Sequence, residues 1–129
     1  MVKSVALDTN IVIDFLKGKK NFSEKLLQYD SLYLPVTVVG ELLFGAINST
    51  NKEKQVAICR NFLKHCKILD INFLTAEKYA EVRKQLKDKG TPIPENDIWI
   101  AATCIFYNIP IITDDKHFYF INNLKIQTL

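Results

Sequence analysis

A chain of 129 residues with 48% apolar and 24% charged residues has the balance of an ordinary globular protein, which excludes disordered, collagenous and membrane-embedded classes. Its formal charge of +3 permits a polyanionic partner without demanding one. No apolar run approaches the ~20 residues that cross a bilayer, and the stretch from Met1 to Leu7 has no small-residue cleavage site, so no membrane association and a cytoplasmic location are expected.

Taken in chain order, Ser4 to Asp8 is a short apolar run that reads as a strand. A helix follows at once, with Ile11, Phe15 and Leu16 at helical spacing and Gly18 as its stop. A second helix is expected around Ser23 to Tyr29 and a strand at Leu32 to Leu34, punctuated by Pro35. Thr37 reads as the N-cap of a third helix. Thr50 and Glu53 have capping-box spacing ahead of a fourth helix reaching about Cys66. Lys67 to Ile71 reads as a strand. Thr75 then caps a helix whose basic residues Arg83, Lys84, Lys87 and Lys89 gather toward its C-terminal half, where they suit the dipole, before Gly90 ends it. The loop Thr91 to Asn96 leads to an apolar helix from Asp97 to Asn108. Ile109 to Thr113 is a compact strand, the segment from Asp114 to Phe118 a turn, and Leu124 to Gln127 a last strand.

The order β-α-α-β-α-α-β-α-α-β-β implies an α/β domain with a mostly parallel sheet, because parallel strands need long crossovers. No repeat, low-complexity tract or linker divides the chain, so one domain over residues 1–129 is expected. Cys59, Cys66 and Cys104 are odd in number and lack metal-ligand spacing. Cys59 and Cys104 fall in apolar helical stretches and read as small buried hydrophobes.

In parallel α/β sheets, ligands collect at the carboxyl ends of strands. Asp8 ends the first strand, while Asp114 and Asp115 follow the Ile109 to Thr113 strand, so two strands deliver acids to one edge. Asp97 lies in the first turn of a helix that is apolar on every side, and Glu41 lies inside an apolar helix with no basic partner at i+4. Each has a plainer explanation. Asp97 favours its helix N-terminus, and Asp8, Asp114 and Asp115 are common turn residues. Glu41 is the hardest to explain without a function, since a carboxylate among apolar residues is costly unless it meets a cation or strong donors. Packed together, such acids repel at roughly 4 kcal/mol per pair at ~4 Å and an effective dielectric of 20. A divalent cation relieves that conflict. A set of oxygen ligands without histidine or cysteine selects Mg²⁺ or Mn²⁺ over Zn²⁺. His117 is near the acids in sequence but is read as packing locally, and His65 as a surface residue.

The segments LDTNIVIDFL, VVGELLFGA, ENDIWIAATC and IITDDKHF resemble the motif series of PIN-domain nucleases, above all VapC-type toxins. The resemblance runs from Leu7 to Phe118 in the family's order. It implies a PIN-like three-layer fold, a central sheet flanked by helices, and carries the family's four acids onto Asp8, Glu41, Asp97 and Asp115, with metal held by Asp8, Asp97 and Asp115. Thr9 and Asn10 match the small polar positions that steady the first acid, and Thr113 the hydroxyl residue that supports the site. Asp114 stands where the family often carries asparagine or another polar residue, so the fourth acid is Asp115 or, one position earlier, Asp114. The resemblance further implies Mg²⁺- or Mn²⁺-dependent hydrolysis of RNA phosphodiesters leaving 5′-phosphate and 3′-hydroxyl ends, a homodimer, and an antitoxin partner. Basic residues at Lys17, Lys19, Lys20, Lys52, Lys54, Arg60, Lys64 and Lys116 read either as a track for a phosphate backbone or as ordinary solvated surface. Two rival readings stand beside the nuclease. A Mg²⁺-dependent phosphatase would want a DxD arrangement, whereas Asn10 follows Asp8 at the second position. A catalytically silent PIN-like module binding RNA or protein would not need the full set of acids.

Overall fold

In the computed structural model the described residues are 3–19 and 21–129, so the readings at Met1 and Lys20 lie outside them. Five strands, β1 (Ser4–Leu7), β2 (Ser31–Pro35), β3 (Lys67–Leu69), β4 (Ile111–Ile112) and β5 (Ile126–Gln127), form one sheet in the order β3-β2-β1-β4-β5. All four pairings are parallel. Among the described residues six helices flank the sheet: α1 (Thr9–Leu16), α2 (Phe22–Leu26), α3 (Val36–Ile47), α4 (Lys52–Leu63), α5 (Phe73–Lys89) and α6 (Glu95–Tyr107). The element order expected from the sequence is the order found, with a short 3₁₀ turn, Lys116–Phe120, in place of the expected turn after β4.

The strand order explains where a site can form. The chain lays β2 and then β3 on one side of β1, then returns to place β4 on the other side. The crevice beyond the carboxyl ends of β1 and β4 is therefore the topological switch point, where crossovers leave in opposite directions and open a cleft. Leu7 pairs with Ile112 in that register, which sets Asp8 and Thr113 side by side at the cleft.

The caps differ from the sequence reading. Thr37 is not the cap of α3; Pro35 holds that position with an extended backbone and no side-chain bond, its missing N–H costing nothing where helix donors are unpaired anyway. Thr50 and Glu53 form no capping box, since α4 begins one residue later with Asn51 as its uncapped flank. The capping box lies instead at α5, where the Asn72 side chain accepts the Thr75 N–H at 3.0 Å and the Thr75 hydroxyl accepts the Asn72 N–H at 3.2 Å. Helix α6 starts at Glu95, directly after Pro94, rather than at Asp97. Gly90 ends α5 at φ +72°, a left-handed turn that glycine adopts without penalty.

Val5, Ala6 and Leu7 of β1, Ile111 and Ile112 of β4, and Ile100 and Ala101 of α6 are fully or almost fully buried. Cys59 and Cys104 are buried free thiols, as expected. Phe118, wholly buried in the 3₁₀ turn, joins this core and pins the backbone that carries Asp115 and His117. Phe118→Ala is expected to cost about 3–5 kcal/mol by removing that anchor; urea denaturation followed by circular dichroism measures it.

Candidate metal centre

Asp8 follows β1 and is the N-cap of α1. Its backbone N–H donates to the Ile112 carbonyl at 3.1 Å, extending the β1–β4 ladder by one bond. The side chain is only 5% exposed, and both of its oxygens have donors: Oδ1 accepts the Thr9 N–H at 2.8 Å and Oδ2 the Thr113 hydroxyl at 2.7 Å. The same Thr113 oxygen accepts the Asp115 N–H at 3.0 Å. One buried hydroxyl thus fixes the first acid and the loop of the last. Asp115 caps the 3₁₀ turn by accepting the His117 N–H at 2.9 Å.

Glu41 reaches the cleft from α3. Its Oε1 accepts the Thr9 hydroxyl at 2.6 Å, and its Oε2 accepts the Asn96 amide at 3.4 Å. Thr9 therefore steadies two acids, one through its backbone and one through its side chain. Asn10 is exposed, and its side chain makes no hydrogen bond to the acids among the described residues. Asp97 enters from the first turn of α6. That helix start is held against α5, where the Tyr79 ring stacks on Trp99 with centroids 4.0 Å apart and the Tyr79 hydroxyl donates to Glu95. Asp115 and Asp97 both approach the same nitrogen of His117, whereas Asp114 is exposed.

Two residues here escaped the sequence reading. Asn96, assigned to a loop, belongs to the first turn of α6, and proline followed by an acidic residue was the available start signal. His117 contacts its neighbour Asp115, as a locally packed residue would, but it also reaches Asp97 on α6. Its Nδ1 lies 3.1 Å from Asp115 Oδ1 and 3.4 Å from Asp97 Oδ2.

Burial and the neighbouring negative charges raise the proton affinity of Asp8 and Asp97. Burial pushes the Asp8 carboxyl above its ordinary value and the charges of Asp115 and Glu41 add to that rise, against bonds from Thr113 and Thr9 that lower it. Asp97 is pushed up to about 6, first by burial, then by Asp115 and Asp8, with His117 opposing. Among the described residues, the ion pairs that reach these four acids come from His117 and from no lysine or arginine. Like charges gathered in a dehydrated cleft without a fixed counter-cation are the donor set of a hard divalent ion, and Asp97, Asp115 and His117 each offer a ligand atom within 4.8 Å of the others. These residues fit a metal.

A parallel α/β fold with carboxylates from two strand ends and two helices at its switch point defines a class of metal-site hydrolase folds, and the comparisons narrow it. Residues 5–123 match the PIN domain family. The chain is 32% identical over 126 residues to Ribonuclease VapC1 of Haemophilus influenzae, covering 94% of each protein. It also superposes on VapBC2 of Rickettsia felis bound to a promoter DNA fragment, with a TM-score of 0.89, 29% identity and 98% of each chain covered. For DNA-bound VapBC from Salmonella typhimurium the TM-score is 0.91 at 27% identity, covering 99% of this chain and 98% of that one. The chain belongs to the PIN-domain family and, within it, to the VapC ribonucleases.

Two outcomes follow from the geometry. Thr113→Val, nearly isosteric, removes a donor from buried Asp8 and an acceptor from the Asp115 N–H; a loss of about 1–3 kcal/mol in urea denaturation is expected, together with weaker divalent-ion binding by calorimetry. For the metal-free protein, Asp97 keeps its proton in the folded state up to about pH 6 but loses it near 3.8 when unfolded. Folding then favours the protonated form, so stability falls as pH rises from about 4 to 6 and stays lower above that window. Asp97→Asn is expected to raise the melting temperature of the metal-free protein at pH 7, by an amount corresponding to about 2 kcal/mol, and to do so far less at pH 4.

Proposed function

We propose that the chain is a Mg²⁺- or Mn²⁺-dependent endoribonuclease and the toxin member of a toxin–antitoxin pair, with Asp8, Glu41, Asp97 and Asp115 as its working acids. The observation that carries this reading is the convergence of Asp8, Asp97 and Asp115 on one cleft with no lysine or arginine paired to them among the described residues. Membership of the VapC ribonucleases supports it.

Asp8, Asp97 and Asp115 would hold the metal, and Glu41 would stand at the rim, where it orients water or a second ion. When bound, a divalent ion supplies an acidified water and neutralises the charge that builds on the phosphoryl oxygens. The protein's own share is alignment. Thr113 and Thr9 fix the Asp8 oxygens, so little reorganisation remains when a phosphate arrives. Thr9 and Asn96 clamp Glu41 from α1 and α6, holding its carboxylate at the mouth of an open groove of about 500 Å³ lined also by Thr37, Gly40 and Phe44. Gly40 leaves open space where a side chain would stand, which lets an RNA backbone approach α3 beside the acid. Asp114 remains a secondary candidate as the acid next to Asp115. Of the basic residues, Lys116 is exposed directly after Asp115 and available to a phosphate flanking the cleft, whereas Lys17 and Lys19 are exposed at the opposite end of α1 from Asp8, Lys19 beside Asp14.

The neighbouring folds are VapBC complexes, which supports an antitoxin as the protein partner. A homodimer goes with the same reading, and exposed apolar side chains at Phe44, Ile47, Phe73 and Leu74 offer it area to bury. Among the described residues no helix is long and apolar enough to cross a membrane. A toxin acting on the cell's own RNA would meet that substrate in the cytoplasm, the location we propose.

Purified protein incubated with end-labelled structured RNA is expected to cleave it with Mg²⁺ or Mn²⁺ and not with EDTA, and Asp97→Asn is expected to lower the rate by at least about a hundredfold with the fold intact. Full activity of a folded Asp97→Asn protein, or cleavage in EDTA, overturns the site.

A further inference from the structure

Resting on that reading, we infer that His117 is a direct nitrogen ligand of the bound ion, and that it biases this site toward Mn²⁺ over Mg²⁺. The sequence offers an all-oxygen set; the fold adds an imidazole to it.

Three features place the ring there. Its Nδ1 is 3.1 Å from Asp115 Oδ1 and 3.4 Å from Asp97 Oδ2. One ligand atom from each of Asp97, Asp115 and His117 lies within 4.8 Å of the other two, close enough for a single ion to be shared among them. The backbone supports that placement: the His117 N–H donates to Asp115 Oδ1 at 2.9 Å, and buried Phe118 anchors the next residue, which fixes the ring over the cleft. The His117 side chain is 46% exposed against 15% for Asp97 and 29% for Asp115, so it stands on the solvent side of the two acids.

The chemistry sets the selectivity. Mg²⁺ dehydrates reluctantly and takes oxygen ligands, whereas imidazole nitrogen binds transition ions better, and affinity for such sites rises from Mn²⁺ along the first row. An imidazole ligating through Nδ1 is neutral and carries its proton on Nε2, so it would leave the carboxylates' negative charge to the ion. His117 therefore acts on which ion is held, while the carboxylates supply most of the charge.

The test uses the full chain stripped of metal, titrated with Mn²⁺ and followed by electron paramagnetic resonance, with Mg²⁺ affinity measured by competition. Pulsed spectra of the wild-type Mn²⁺ protein are expected to show a directly coordinated ¹⁴N. His117→Gln, at an exposed position, is expected to lose that signal and to weaken Mn²⁺ about tenfold or more, with Mg²⁺ changed less than about twofold. Tight Mn²⁺ binding without ¹⁴N coupling in the wild type, or equal losses for both ions in His117→Gln, overturns the ligand assignment and leaves the carboxylate site standing. No Mn²⁺ binding by the wild type overturns both.

Discussion

The parallel pairing of β1 with β4 is the constraint on which the rest of the site depends. Leu7 opposite Ile112 and the bond from the Asp8 N–H to the Ile112 carbonyl bring residues 105 positions apart into one cleft. The Thr113 hydroxyl then converts backbone register into side-chain geometry, donating to Asp8 and accepting from Asp115. A hydrogen bond of this kind contributes modestly to net stability, but leaving a buried carboxylate without it costs more. The hydroxyl is retained at a wholly buried position because both acids take their positions from it.

Around that pair the structure accumulates electrostatic stress. Asp97 arrives on α6 and Glu41 on α3, each held by contacts that serve placement rather than charge balance: the Tyr79–Trp99 stack for α6, and Thr9 with Asn96 for Glu41. Burial and neighbouring negative charges raise the proton affinity of Asp8 and Asp97. Such stress is what a stability–function trade-off looks like in a nuclease cleft. The apolar core under β1, β4 and α6 offsets it, and the divalent ion we propose for this cleft would relieve it further.

The alternatives to the nuclease lose ground for physical reasons. A phosphatase with a nucleophilic aspartate would want a second aspartate two positions after Asp8, yet Asn10 stands there, exposed and with no hydrogen bond to the acids among the described residues. A silent binding module has no use for four carboxylates held at such electrostatic cost, and the likeness to Ribonuclease VapC1 extends across 94% of this chain.

Periodicity and punctuation alone determined the alternation of strands and helices, the parallel sheet and the placing of Asp8, Asp97 and Asp115 at the ends of elements, because these follow from local spacing of apolar residues and from glycine and proline. Glu41 stood out for the same reason, as a charge where the helical pattern asks for an apolar residue. What local pattern does not encode is contact between distant segments. The failed capping box at Thr50, the early start of α6 that recruits Asn96, and the turn of His117 toward Asp97 were decided by tertiary packing. A cap forms only if its helix begins where the core permits, and a side chain's partner depends on the fold that delivers it.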